Sequence, residues 1–347
     1  MRVVTDSAAA TRMLTGLTVG ELGSLLGSRT RALAAAKWIY GARDWTSSVP
    51  ERVPGVSRAV WDRVRPGCSL PDARVTRSAV AADGTTKLLV AFGDTSVETV
   101  LIPARARSTV CVSSQAGCTR SCKFCATATL GFGRNLRAGE IVAQYLIARP
   151  LATASAPASN VVFMGMGEPM DNLDEVLTAV EILTQTPEPQ LGHAQVTVST
   201  SGIVPGMKRF LAESSASLAL SLNATTDAQR TAVMPQTKIW SIGELLAVLR
   251  DDRTAHPRRV HFIEYVMFDG FNDQDADAAR LVELLVGIHA RVNLIPHNTI
   301  AGSTLRPSPR DRIERFRDQV VAAGVRCMVR WPKGPDIAAA CGQLARG

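Results

Sequence analysis

The sequence predicts an α/β protein whose core is a parallel sheet, doubly wound or curled into a full or partial barrel, behind a small helical module and a β-hairpin. Three observations predict it. From about residue 96 onward, strand-like runs alternate with helix-like runs. Four polar stretches each follow one of those strands. The first 95 or so residues lack the alternation and are punctuated by turn residues instead.

In that first part, Leu22-Gly23-Ser24-Leu25-Leu26-Gly27 leads into Arg31–Tyr40, which places Leu33, Ala36, Ile39 and Tyr40 at helical spacing. Ser47-Ser48-Val49-Pro50 and Val53-Pro54-Gly55 separate short helices. Arg77–Phe92 alternates around Asp83-Gly84, a hairpin signal. Arg29, Arg31, Lys37 and Arg43 either meet phosphates or form an ordinary solvated face. This gives residues 1–95 as an accessory module with a hairpin and 96–347 as the core.

The core strands are expected at Thr109–Ser113, Asn160–Met164, Gln195–Ser199, Ser217–Ser221, Arg259–Met267, Arg291–Ile295 and Val325–Arg330. Helices are expected at Ala138–Ile147, Leu173–Leu183, Pro205–Ala212, Ser241–Arg250, Asp273–Ala290 and Pro309–Ala323. Ser241 with Glu244 fits a capping box, and Ser308-Pro309 with Gly324 fits a helix start and stop. Gly165-Met166-Gly167-Glu168-Pro169, Thr200-Ser201-Gly202, Asn223-Ala224-Thr225 and Pro296-His297-Asn298 each sit just past a strand. Parallel α/β folds build their sites at that end of the sheet, so the four stretches converge on one mouth.

Composition narrows the class of function. The chain has 347 residues, 46% hydrophobic and 20% charged, which suits a sizeable core and excludes a disordered or coiled-coil protein. Its formal net charge of +8 favours an anionic partner, nucleic acid first, although a GC-rich genome also enriches Arg over Lys. The stretch from Met1 to Met13 has no apolar segment of the kind a signal peptide carries. Ile141–Ala156 is the nearest approach to a membrane span and is broken by Arg149 and Pro150. A cytoplasmic, membrane-free protein is expected. The odd count of 7 cysteines in a reducing compartment argues against a disulfide framework.

Four of those cysteines, Cys111, Cys118, Cys122 and Cys125, fall close together. Cys118-Thr119-Arg120-Ser121-Cys122-Lys123-Phe124-Cys125 is a C-x3-C-x2-C motif in the loop after the first core strand. Three thiolates on a tight loop hold three irons of a cubane and leave the fourth iron open. A structural zinc site is the competing reading, but it asks for a fourth ligand that nothing downstream at suitable spacing supplies.

The motif resembles the signature of the radical S-adenosylmethionine (SAM) superfamily, and Gly165–Pro169 resembles that superfamily's glycine-rich strand end. The resemblance narrows to the RlmN/Cfr family of RNA methyltransferases. It is carried by Cys111–Cys118, Arg134-Asn135-Leu136, Met164–Pro169, Val198–Gly202, Asn293–Pro296 and Asp336–Leu344, in that order, with Lys37-Trp38-Ile39-Tyr40 in the module. The chain departs from the family where Asn223 replaces the usual His, in Ala126–Thr129, at Pro335 and at His297.

The resemblance implies a partial (β/α) barrel of the radical SAM type. It implies a 4Fe–4S cluster on Cys118, Cys122 and Cys125, with SAM on the open iron and against Gly167, Glu168, Ser199, Ser221, Leu222, Asn223 and Asn298. The implied activity is methylation of a ring carbon of adenosine, carbon 2 in preference to carbon 8, in 23S rRNA and also in tRNA. An electron donor such as flavodoxin or ferredoxin is implied as a further partner. In the family's chemistry Cys341 is the S-methylcysteine intermediate, Cys111 resolves the RNA adduct through a transient disulfide, and Glu98 is the proton acceptor. Two other readings stay open on residues alone. One is a methyltransferase of the same mechanism for a different RNA or a small molecule. The other is a non-catalytic iron–sulfur protein that binds RNA or senses redox state.

Overall fold

The computed structural model describes residues 11–41 and 48–345; Arg43 and Ser47 lie outside that range, as does most of Met1–Met13. Three helices open the chain: α1 (Val19–Leu26), α2 (Arg29–Gly41) and α3 (Arg58–Val64). Thr18 and Glu21 cap α1 reciprocally, and Gly27, at φ +67°, ends it in a conformation that favours glycine. Tyr40 donates its hydroxyl to the Leu14 and Leu17 carbonyls, and Trp61 donates to the Pro50 carbonyl, so both buried polar tips are satisfied.

Ten strands then form one sheet in strict chain order: β1 (Ala73–Val80), β2 (Thr86–Phe92), β3 (Thr95–Pro103), β4 (Ser108–Cys111), β5 (Ala158–Phe163), β6 (Val196–Thr200), β7 (Ser217–Ser221), β8 (His261–Met267), β9 (Ala290–Pro296) and β10 (Arg326–Val329). The first four pair antiparallel, and β4 to β10 are parallel. The parallel strands read as apolar runs because both faces are covered: Leu218, Ala219 and Leu220 of β7 are all fully buried. Strand β1 is the sheet edge, and the exposed Arg74 and Arg77 on it discourage pairing with another chain.

Between the parallel strands run α4 (Ala138–Ala148), α5 (Leu173–Gln185), α6 (Val204–Glu213), α7 (Asp227–Val233), α8 (Ile242–Ala255), α9 (Asp275–Leu284) and α10 (Arg310–Ala322). The partial barrel expected from the sequence is present, and one apolar core extends from Leu14 to Leu344. All seven expected core strands form within a residue or two. The expected helix Asp273–Ala290 is shorter, because the chain turns at Gly287 (φ +79°) and Ala290 already opens β9. The hairpin of β1 and β2 is hydrogen-bonded through β3 into the core sheet. Among the described residues no helix is long and apolar enough to cross a membrane.

Candidate active site

A cavity of about 930 Å³ opens at the C-terminal ends of the parallel strands. Polar residues from all four of the expected strand ends line it, together with the three cysteines of the loop after β4 and the C-terminal segment.

The cysteine loop is braced from both sides. Cys118 N–H donates to the Gly131 carbonyl, and Lys123 N–H donates to Val233 at the end of α7. Arg120 pairs with Asp171, which also takes the Thr119 hydroxyl. Burial pushes the Cys118 thiol up to about 12 and raises Cys122 further, and the neighbouring thiols add to both shifts. No three His, Cys, Asp or Glu side chains among the described residues gather around a single point as one metal ion requires. A cubane asks for a different spacing, one thiolate per iron across a cluster face.

The glycine loop after β5 is stitched to the segment Ser113–Gln115. Met166 O accepts from Ser114 and Gln115, Met166 N donates to Ser113 Oγ (2.9 Å), and Glu168 N donates to Gln115 Oε1 (2.9 Å). Gly167 stands at φ +107°, and a Cβ there would lie 2.7 Å from the Gln115 backbone nitrogen, so only glycine fits. Glu168 follows, buried, its oxygens taking Met170 N–H (3.0 Å), Thr200 Oγ–H (2.7 Å) and Ser201 N–H (2.7 Å). Burial raises its pKa and these hydrogen bonds pull it back. A cationic ammonium in the cavity would favour the carboxylate.

Ser199 and Ser221 present their hydroxyls side by side, 3.5 Å apart, at the ends of β6 and β7. Asn223 stands at φ +59°, a region Asn tolerates better than most residues. Its amide accepts from Val266 N–H (2.8 Å) and directs Nδ2 at the Met234 sulfur (3.2 Å). Asn298 donates to the Cys341 carbonyl (3.0 Å) and so holds the C-terminal segment in the cavity. Gly342 O accepts from Ala126 N–H (2.7 Å) and Leu344 O from Thr127 Oγ–H (2.7 Å), pinning the same segment across the cysteine loop.

The Radical SAM superfamily model matches residues 112–282, which contain the cysteine loop and the strand ends after β5 to β8. Along 97% of this chain and all of the other, the fold superposes on a radical SAM methyltransferase from Sphaerobacter thermophilus, with a TM-score of 0.86 and 38% identity. The dual-specificity RNA methyltransferase RlmN of Anaeromyxobacter dehalogenans is 41% identical over 99% of this chain and 94% of its own length. That of Paracoccus denitrificans is 47% identical over 78% of this chain and 72% of its own length. The chain belongs to the RlmN family. It is therefore a SAM-dependent enzyme with an iron–sulfur cofactor.

The site residues that the sequence resemblance implied do not all reach the cavity. Cys118, Cys122, Cys125, Gly167, Glu168, Ser199, Ser221, Asn223, Asn298 and Cys341 line it. Leu222 does not: its side chain is in the core, and it contributes backbone only, N–H to Glu264 O and O to Arg230. Cys111 lies buried at the end of β4, paired with Val100 and Val162. Burial raises its thiol far above the ordinary range, and the nearby Cys341 raises it further. Glu98 is buried on β3, paired with Lys87 (3.0 Å) and accepting Ala345 N–H (2.8 Å). All seven cysteines are free thiols.

Two residues, one lining the cavity and one buried near it, were not singled out from the sequence. Glu264 lines the cavity from β8, held by its cross-strand neighbour Asn293 (2.8 Å), which in turn accepts from Arg330 (3.1 Å). A lone Glu inside Phe262-Ile263-Glu264-Tyr265-Val266 breaks an apolar run, and that was the available signal. Burial lifts Glu264 to about 7, while Cys341 on the opposite, C-terminal segment stands exposed in the cavity. The second residue, Arg230, carried no signal in Asp227-Ala228-Gln229-Arg230, which looks like an ordinary surface turn of helix.

Glu264 makes a pH prediction. The folded protein keeps this proton up to about pH 7, whereas the unfolded chain releases it near 4.5. Between those values the folded state binds more protons, so this residue's contribution to stability falls as pH rises. Glu264→Gln is expected to remove the loss, on the order of 3 kcal/mol across the window. Urea unfolding of the metal-free protein at pH 5 and pH 8 checks it; equal pH dependence in both proteins would refute it.

Proposed function

We propose that this RlmN-family enzyme methylates a ring carbon of adenosine in 23S rRNA, carbon 2 in preference to carbon 8, and acts on tRNA as well. The route is an S-methylcysteine at Cys341 and a transient Cys111–Cys341 disulfide. One observation carries the reading: Cys341 stands in the same cavity as the three-cysteine loop.

When bound, the cluster and SAM supply a methyl group and a hydrogen-abstracting carbon radical. Cys118, Cys122 and Cys125 would hold three irons, and Gly167 and Glu168 would face the SAM ammonium. Ser199, Ser221, Asn223 and Asn298 would contact the rest of that ligand. A ring carbon between two nitrogens is electron-poor and does not attack an electrophilic methyl directly, so Cys341 takes the methyl first. Cys111 then attacks the Cys341 sulfur of the RNA adduct. The S–S bond forms, the carbon–sulfur bond breaks with its electron pair left on the former methylene carbon, and that carbon takes up a proton, equivalent to the one the Cys111 thiol gives up, to complete the methyl group. Glu98 accepts the ring proton once Ala345 N–H has left its carboxylate. The exposed Arg29 and Lys37 of α2 supply RNA contacts, and a flavodoxin or ferredoxin supplies electrons.

Mass spectrometry of rRNA and tRNA nucleosides from cells with and without the gene tests the substrate. A methyladenosine that vanishes with the gene and returns with it is expected. Unchanged nucleosides would sink the RNA reading and leave a small-molecule substrate. Anaerobic reconstitution should load about four irons per chain.

A further inference from the structure

Arg230 is a fully buried cation, 0% exposed, that makes no direct ion pair among the described residues. Its guanidinium donates only to neutral acceptors: Nε to Leu222 O (3.0 Å), Nη1 to Thr237 Oγ1 (2.8 Å), and Nη2 to the carbonyls of Ser221 (3.0 Å) and Ser201. Burying an unpaired cation is costly, and the cost is normally met by an anion alongside.

The surroundings say where that anion belongs. Arg230 is on α7, whose last residue, Val233, accepts Lys123 N–H from the cysteine loop. Gln236, just beyond α7, points its amide at Cys122 Sγ (4.0 Å). The three carbonyls that Arg230 grips belong to the ends of β6 and β7, which carry Ser199, Ser221 and Asn223. Burial lowers Arg230 to about 10, and the charges of Cys122, Asp227 and Glu168 counter that effect. It stays protonated at neutral pH, a fixed cation beneath the cavity floor.

We propose that Arg230 is a positioning residue that serves as the built-in counter-charge of the anionic iron–sulfur cluster, while its planar fork locks the two strand ends that contact SAM. The proposal rests on the reading of Cys118, Cys122 and Cys125 as cluster ligands. Three thiolates make the cluster site negative, and one-electron reduction adds a further negative charge. A nearby buried cation favours the reduced form, because net charge near a cluster sets its potential. Without the cluster, Arg230 makes no direct ion pair, and only the more remote carboxylates of Asp227 and Glu168 offset its burial.

The test compares wild type, Arg230→Gln and Arg230→Lys. Each is reconstituted anaerobically, assayed for iron, titrated with dithionite by EPR, and melted with and without the cluster. With equal iron in all three, Arg230→Gln is expected to lower the reduction equilibrium constant about tenfold, which is about 59 mV for one electron. Arg230→Lys, which keeps the charge and loses the fork, should hold the wild-type potential and bind SAM more weakly. The melting-temperature gain on cluster loading should be smaller for Arg230→Gln than for the other two. An unchanged potential in Arg230→Gln overturns the proposal. So does a fold that survives Arg230→Lys but not Arg230→Gln, because the charge would then be needed before any cluster binds. Failure of both variants to fold reduces Arg230 to a brace and also overturns it. Wild type that takes up no iron would instead strike the ligand reading itself.

Discussion

Cys341→Ala is expected to make no methylated RNA and no protein–RNA adduct, whereas Cys111→Ala is expected to accumulate protein covalently joined to RNA through Cys341. The two thiols occupy different places and so fail differently. Cys341 stands in the cavity, on a segment held by Asn298 and Ala126. Without it no acceptor takes the methyl. Cys111 stands behind it at the end of β4, buried and outside the cavity lining. Without it the methyl is still accepted and still added to the ring, but no thiol releases the product. Neither substitution touches the three cysteines of the loop, so iron content should match wild type in both. Denaturing gels and mass spectrometry read the adduct, and nucleoside analysis reads the methyl group. Methylated RNA from Cys341→Ala would end the mechanism. Iron loss from Cys111→Ala would make Cys111 a fourth ligand and close the open position on the cluster.

Lys87→Met should destabilise the protein by about 3–5 kcal/mol, the usual effect of removing one member of a buried ion pair. Lys87 and Glu98 are diagonal neighbours on β2 and β3, 3.0 Å apart, with side chains 9% and 1% exposed. The Lys87 ammonium also donates to Ala338 O (3.2 Å), and Glu98 also accepts Ala345 N–H. The pair therefore anchors the segment carrying Cys341 at both ends. With Lys87 gone, Glu98 keeps a charge in an apolar layer with one backbone donor left. The double variant Lys87→Met with Glu98→Gln removes both charges and should recover most of the loss. Urea denaturation of the single and double variants provides the check. If the double variant is as unstable as the sum of the singles, the pair is not the source.

The parallel part of the fold was legible because its strands are short apolar runs closed by polar or glycine-containing ends. Asn160–Met164 followed by Gly165-Met166-Gly167 is such a unit, and the strand and loop stand where the pattern puts them. Strand β3 was harder to see. Its buried Glu98 and Thr99 interrupt the apolar pattern, and their partners, Lys87 and Gln144, are remote in sequence. Helix α7 is only seven residues long and mostly polar, too short for periodicity to register. The site divided along the same line. Cysteines at close spacing announce themselves. Arg230 does not, because what distinguishes it is burial, and burial of a charged residue is settled by tertiary packing that no local pattern encodes. Glu98 matched the family's proton acceptor, but only the folded chain reveals that Ala345 and Lys87 occupy its carboxylate.

The strict chain order of the ten strands bears on how the protein is made. Each strand's sheet neighbour is the one synthesised just before it, so the sheet grows outward from the ribosome one strand at a time without waiting for distant sequence. The exception is the stretch after β10, which doubles back to the earliest strands: Gly334 donates to Asp83, Ala82 donates to Asp336, and Ala345 donates to Glu98, contacts spanning up to 254 residues. A nascent chain thus presents the three-cysteine loop well before Cys341, the proposed methyl acceptor. Any product of interrupted translation that stops before Gly334 has the sheet and the three-cysteine loop but lacks Cys341, and on the proposed route is expected to be inactive.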